Sequence, residues 1–339
     1  MQPAFLIPAT DGSLVEIRIP AYNRPDLLRR ALLSCQRQTH RNWCAVILDD
    51  GDAARTREVV DGLADPRILH RPNPVRRGAG SNISLAFSRE PLAGGDFFYV
   101  LEDDNLILPS FIEDNLRLLG AHDVGIVVNN QWVEVTPPDA DQLSPVHDIW
   151  VTIDCFTDGV WTADDYRIAL LWRLPLSNSA IFWRRGCRSD LTCADVTDAG
   201  IQEWVRCLRL DDPIYFNEAP NGFWRPESAH FTYKPNIRTF LQEQRIQQIM
   251  RRRVLLALMA RGELEKVLSD RFKTPLAERE KGLLKTYGRW PAASSFGPVR
   301  RLDLLAKGLA VRWLAPPPPA DLAGALKIWP PAQAGSIKA

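Results

Sequence analysis

Apolar and polar positions alternate in two rhythms from residue 14 onward. Leu14 to Ile19 places Val15, Ile17 and Ile19 on one face, which predicts a strand stopped by Pro20. In the following AYNRPDLLRRALLSCQRQ, Leu28, Ala31, Leu32 and Cys35 fall at helical spacing. Pro25 suits the first turn of that helix, and Asp26 sits at its positive end. Trp43 to Leu48 predicts a second strand that ends in Asp49, Asp50 and Gly51. After another helical stretch come a third strand around Arg67 to Leu69, a fourth from Phe97, and a further one over Val124 to Val128. Strand and helix alternate throughout, which predicts an α/β fold: a mostly parallel, twisted sheet with helices on both faces. Ligands of such sheets bind beyond the carboxyl ends of the strands. Asp49/Asp50 and Asp103/Asp104 both lie there.

The segment FFYVLEDDNLILPSFI is the most informative. An apolar strand stops at Glu102, Asp103 and Asp104, then apolar sequence resumes as a predicted helix. Adjacent carboxylates repel, and burying them costs more unless a cation neutralises them. Hard oxygen donors without His or Cys favour magnesium or manganese over zinc or copper. The plain alternative is a solvated acidic turn with Asn105 as the helix cap. RRGAGSN, at Arg76 to Asn82, is neither a P-loop nor a dinucleotide fingerprint, and reads as a loop leading into a helix around Ile83 to Phe87.

Composition narrows the class. The 339 residues are 45% hydrophobic and 24% charged with a formal charge of +1, as expected for a globular protein and with no basic excess to suggest a nucleic-acid partner. The six cysteines form no Cys-x-x-Cys pair. No basic-then-apolar leader is present, so the expected compartment is the reducing cytoplasm. No apolar run reaches membrane-spanning length.

IPAYNRPDLLRRALLSCQRQTHRNWCAVILDDGD, followed by DPRILHRPN, RRGAGSNISLAF and YVLEDDNLILPSFIEDNL, resembles family-2 glycosyltransferases of the GT-A fold. These hexosyltransferase-like enzymes move a sugar from a nucleoside diphosphate to an acceptor, with inversion at the anomeric carbon. The resemblance implies that Pro20, Ala21, Tyr22, Asn23 and Asp50 hold the nucleobase and ribose, and that Arg76 or Arg77 approaches the nucleotide. It places Asp103 and Asp104 at the diphosphate, with Mg2+ or Mn2+ as cofactor. Asp49 and Asp50 read alternatively as shaping an Asp-Gly turn.

In DVTDAGIQEWVRCLRL, Ile201, Val205 and Leu208 share one helical face, and Gln202 and Glu203 begin the helix. Family members usually carry Glu-Asp there, the second acid being the general base. The resemblance thus assigns the base to Glu203, with Asp198 as substitute and a structural helix-start acid as the competing reading. It also allows His230, in FWRPESAHFTYKPN, to reach the metal. Between Val133 and Trp172, aspartates accompany Trp150, Trp161 and Trp172. Such faces suit sugar recognition, and core packing accounts for them equally.

Three segments are expected: a nucleotide-sugar-binding half over 1–130, an acceptor-binding and catalytic half over 131–236, and a helical, basic C-terminal extension over 237–339. From Arg238 two helices are predicted with a break near Gly262. From Lys281 onward nine Lys and Arg face two acids, interleaved with Trp290, Trp313 and Trp329. This extension would pack on its own catalytic domain, join a homodimer, or touch the inner membrane face peripherally. The leading expectation is transfer of a sugar to an acceptor hydroxyl whose identity the sequence leaves open. A nucleotidyltransferase and a non-catalytic nucleotide-sugar-binding partner protein are the other classes; the first normally has a Gly-rich loop where this chain has PAYNRPD.

Overall fold

The computed structural model describes residues 12–133, 151–225, 237–287 and 296–318. In chain order the elements are β1 (Val15–Ala21), α1 (Pro25–Gln36), β2 (Trp43–Asp49), α2 (Ala53–Leu63), β3 (Ile68–Pro72), α3 (Ala79–Ala86), β4 (Phe97–Val100), β5 (Leu106–Ile107), α4 (Phe111–Ala121), β6 (Ile126–Asn129) and β7 (Trp132–Val133). They continue with β8 (Gly159–Trp161), α5 (Ala163–Ala169), β9 (Ile181–Arg184), α6 (Ala199–Leu208), β10 (Ile214–Asn217), β11 (Gly222–Trp224), α7 (Ile237–Arg261), α8 (Leu276–Tyr287) and α9 (Pro298–Leu314).

Eight strands form the central sheet in the order β3-β2-β1-β4-β9-β6-β10-β8. Pairing is parallel from β3 through β4 and between β6 and β10; β9 and β8 run antiparallel to their neighbours. Alternate residues of each strand enter opposite cores, as the pleat requires. Val46, Leu48, Phe98 and Val100 join one cluster, while Ala45, Ile47, Phe97 and Tyr99 join the other. Leu28, Leu32 and Phe111 of α1 and α4 cover the second face. Ile83, Tyr166 and Val205 of α3, α5 and α6 cover the first. The mostly parallel α/β sheet with helices on both faces is as expected.

Met250, Val254 and Leu258 of α7 and Leu283 of α8 belong to that first cluster. Arg251 Nε donates to Leu170 O at 2.9 Å. These two C-terminal helices are therefore built into the main core. The break after α7 falls at Gly262, whose φ of 68° is left-handed. A short 3-10 turn, Leu264–Leu268, follows in place of a second full helix.

Three element boundaries differ from expectation. β1 runs through Pro20 to Ala21. Arg18 O accepts from Leu101 N and Ala21 O from Asp50 N, so the alternate residue Pro20 faces the β4 side, past the last β1–β4 pair, Arg18 with Val100. No ladder bond is lost there, which is why the proline is tolerated. Leu106 and Ile107 form β5 of a small second sheet, β5-β11-β7, and α4 starts only at Phe111. Finally, α3 begins at Ala79, so RRGAGSN holds its first turn.

Candidate functional site

A cavity of about 460 Å³ opens at the carboxyl ends of β1, β2 and β4. Its wall is made by the Pro20–Tyr22 loop, Arg24, Asp50, Arg76, the start of α3, the Glu102–Asp104 turn, Asn178, the first turns of α6, and Trp224 and Arg225 at the end of β11. Segments far apart in sequence meet here because parallel strands deliver all their loops to one edge. Gly51 permits one close approach: a Cβ on it would stand 2.4 Å from Asn23 Oδ1. That Asn23 oxygen accepts from Asp52 N at 2.8 Å, locking the loop after β1 to the loop after β2.

The acidic turn is not a solvated one. Asp103 is completely buried. Its Oδ2 accepts from Tyr22 N at 3.2 Å and from Arg24 Nε at 3.3 Å, and Arg24 Nη2 bonds its Oδ1. Arg24 Nη1 reaches Asp104 Oδ2. Burial pushes the Asp103 carboxyl up to about 7; Arg24 pulls it down, and Asp104 pushes it up again. Burial lowers the Arg24 guanidinium, and the two carboxylates more than reverse this. Asn105 caps no helix. Its Nδ2 donates to Glu102 Oε2 at 3.1 Å and its Oδ1 accepts from Arg225 N at 2.9 Å, so it ties the turn to β11.

Glu203 faces the same cavity from the second turn of α6, not from its start. Its Oε1 accepts from Asn178 N at 2.8 Å. Asn178 also turns Nδ2 toward Glu102 Oε1 at 3.5 Å and accepts at Oδ1 from the buried Arg206 Nη1 at 2.6 Å. Burial, then the charge of Glu102, push the Glu203 carboxyl up to about 8, against the Asn178 N–H and Arg206. Glu102 is raised as well, by burial and Asp104, against bonds from Ser179 and Asn178. Glu102, Asp103 and Glu203 thus line one cavity with carboxyls that burial shifts toward the protonated form.

Asp198 has another occupation. It is the N-cap of α6, with Oδ1 accepting from Ile201 N at 3.0 Å, and it does not line the cavity. Gln202 is fully buried, and its Nε2 donates to Val196 O at 2.6 Å, Gly80 O at 2.8 Å and Ser84 Oγ at 3.0 Å. It braces α6 against the first turn of α3.

On the opposite wall, Asp50 is buried with both oxygens taken. Oδ1 accepts from Asn73 Nδ2 at 2.9 Å and Arg77 N at 2.6 Å, and Oδ2 from Gly78 N at 2.8 Å. Asp49 points elsewhere, to Gly51 N and His70 Nε2 at 2.9 Å each, and shapes the turn. The arginine pair divides: Arg76 lines the cavity with its guanidinium 4.4 Å from the Tyr22 ring centre, whereas Arg77 offers its backbone. Asn23 acts through its loop bond rather than on the cavity surface. His230 and Trp150 lie outside the described residues.

Trp161 is core, 1% exposed and stacked on Phe272, and Trp172 packs edge-on against the same ring. The tryptophan that lines the cavity is Trp224. Arg24, Asn178, Trp224 and Arg225 are among the lining residues that the sequence did not assign to a site. Arg24 carried a usable signal, since YNRPD puts it one residue before a helix whose N-terminus faces the acidic turn.

Residues 16–163 match the family model described as Glycosyl transferase family 2. The chain carries a family-2 glycosyltransferase domain. Among curated relatives, the putative colanic acid biosynthesis glycosyl transferase WcaA of Escherichia coli (strain K12) is 32% identical over 102 residues, which cover 30% of this chain and 36% of WcaA. WfgD of Escherichia coli, named as a UDP-Glc:alpha-D-GlcNAc-diphosphoundecaprenol beta-1,3-glucosyltransferase, is 26% identical over 120 residues, 35% of this chain and 46% of WfgD. The chain therefore spans less than half the length of these relatives. Among solved structures, S. aureus TarS 1-349 superposes with a TM-score of 0.52 at 14% identity, covering 88% of this chain and 80% of that one. The glycosyltransferase domain has the GT-A architecture.

Proposed function

We propose that the protein transfers a glycosyl unit from a nucleoside-diphosphate sugar to an acceptor hydroxyl with inversion, using Glu203 as general base. One observation carries this reading: Asp50 and Arg76, the Asp103/Asp104 turn and Glu203 line one cavity at the carboxyl edge of the sheet. The nucleotide end lies against Tyr22, Asp50 and Arg76. The diphosphate lies toward Arg24, Asp103, Asp104 and Arg225, and the reacting sugar between these and Glu203. Glu203 takes the acceptor proton as the hydroxyl attacks, and Asn178 N–H fixes the carboxylate in place. The named activity of WfgD supports a nucleotide-sugar donor.

The oxygen donors Asp103 and Asp104 suit Mg2+ or Mn2+, but Arg24 holds both of them. A divalent cation and the Arg24 guanidinium therefore compete for the same carboxylates. When bound, the cation neutralises the leaving diphosphate. Asp103 and Asp104 would hold it, and Arg24 would then turn from them toward the phosphate oxygens.

Incubation with a panel of nucleotide sugars and no acceptor tests the reading. Slow release of sugar and nucleoside diphosphate, lost in Asp104→Ala, is expected. Pyrophosphate-dependent formation of a sugar phosphate would assign the protein to the nucleotidyltransferases, and binding without turnover would leave it a binding partner.

A further inference from the structure

Helix α9 carries two apolar faces, and among the described residues only one of them is packed. Leu304 and the following Ala315 are buried, while Gly308 O and Ala315 O accept from Gln248 and Arg245 of α7 at 3.1 and 2.7 Å. On the opposite side Val299, Leu302, Ala306, Leu309 and Trp313 recur at spacings of three and four, a single stripe down the helix. Val299 is 80% exposed, Leu302 66%, Leu309 52% and Trp313 80%. Contiguous apolar surface of this kind on a helix already anchored to its own protein marks an interaction face.

We propose that this face docks on an anionic lipid surface, with the helix lying in the plane of the interface. Charge selects the occupant. Arg300, Arg301, Lys307 and Arg312 flank the stripe, and the helix has a single acid, Asp303, which is held by Arg300 and Lys307 at 3.0 Å each. Four cations against one acid give this helix a net charge of +3, where the whole chain has a formal charge of only +1. Apolar side chains with Trp on one side and Arg and Lys at the borders are what an interfacial helix requires: the stripe enters the acyl boundary while the cations meet lipid phosphates. A second copy is the wrong occupant. A two-fold contact through this stripe sets the same four cations against themselves. Among the described residues no helix is long and apolar enough to cross a membrane, so contact through α9 is peripheral.

The test is flotation of the full chain with vesicles of phosphatidylcholine alone or mixed with phosphatidylglycerol. Retention on the mixed vesicles, at least tenfold above the neutral ones and reduced by salt, is expected. The triple variant Leu302→Ser, Leu309→Ser, Trp313→Ser removes only exposed side chains, so its melting temperature should hold while retention falls at least tenfold. The pair Arg300→Ser, Lys307→Ser should lower retention on anionic vesicles alone. Failure to bind anionic vesicles, equal retention of the triple variant, or a concentration-dependent dimer abolished by the triple variant would each overturn the proposal.

Discussion

The guanidinium of Arg24 lies across the carboxylate of Asp103, with Nη2 on Oδ1 and Nε 3.3 Å from Oδ2, while Nη1 reaches on to Asp104. Three acids in sequence call for a cation, and the fold supplies one of its own. Asp103 is fully buried, so removing Arg24 alone leaves an uncompensated carboxylate, at a cost of about 3–5 kcal/mol. Arg24→Ala should therefore lower the melting temperature without metal. Manganese should restore most of the loss, and calorimetry should show it binding about tenfold or more tighter than to the unmodified protein, equivalent to about 1.4 kcal/mol. Manganese affinity unchanged by the substitution would show that the cation does not share these oxygens.

Glu203 gives a pair of linked predictions. Glu203→Gln keeps an oxygen for the Asn178 N–H but cannot take a proton, so transfer should fall about a hundred- to ten-thousand-fold with donor binding nearly unchanged. In the unmodified protein kcat/KM should rise with pH toward a plateau above about 8, where burial and Glu102 set the carboxyl.

The same carboxyl alters stability with pH, and the sign follows from its raised value. Between the ordinary 4.5 and about 8 the native state keeps a proton that the unfolded chain has released, so stability falls as pH rises through this window and levels off above it. Glu203→Gln removes that contribution. The melting temperature of the variant should equal that of the parent near pH 4.5 and exceed it increasingly toward pH 8. A constant difference across the range would mean that Glu203 is not the group responsible.

Asp198 separates a cap from a catalyst. Its carboxylate accepts from Ile201 N at the start of α6. Asp198→Ala should cost about 0.5–2 kcal/mol of stability, and Asp198→Asn, which still caps, much less. Neither should approach the loss of transfer in Glu203→Gln. Single-turnover transfer by the two variants side by side decides it, and a larger loss in Asp198→Asn would move the base.

The alternation of strand and helix, the apolar stripes, and the placing of Asp50, Asp103 and Asp104 at one sheet edge were legible in the sequence because each is a local pattern. Pairing across distance was not. Arg24 meets Asp103 across 79 positions, and Asn178 joins Glu102 to Glu203 through a 3-10 turn that has no periodicity to reveal it. Trp161 and Trp224 have the same side chain; neighbours brought in from elsewhere bury one and set the other at the cavity. The family match ends at residue 163, so α6 lies beyond it, and there Gln202-Glu203 stands where the resemblance read from the sequence expects an acid pair.

The structure accounts for that departure and yields a last prediction. Gln202 Nε2 is enclosed by Val196 O, Gly80 O and Ser84 Oγ, all within 3.0 Å. Two of these are carbonyl oxygens, which only accept, so the position demands a donor. Gly80 is required beside it: a Cβ there would lie 1.9 Å from Thr197 O and 3.2 Å from Gln202 Nε2. Gln202→Glu, which puts an acid where the resemblance expects the first of the pair, replaces the donor by a buried carboxylate facing carbonyl oxygens. The loss is a set of made bonds plus the desolvation of a charge, about 3–5 kcal/mol, and it should be relieved at low pH, where the protonated carboxyl can again donate. Urea denaturation of Gln202→Glu and of Gln202→Met at pH 5 and pH 8 measures this. Gln202→Met loses the donor at both pH values alike, whereas Gln202→Glu should be markedly weaker at pH 8. If Gln202→Glu matched the parent at pH 8 and gained activity, the glutamine would be a dispensable replacement rather than the brace between α3 and α6.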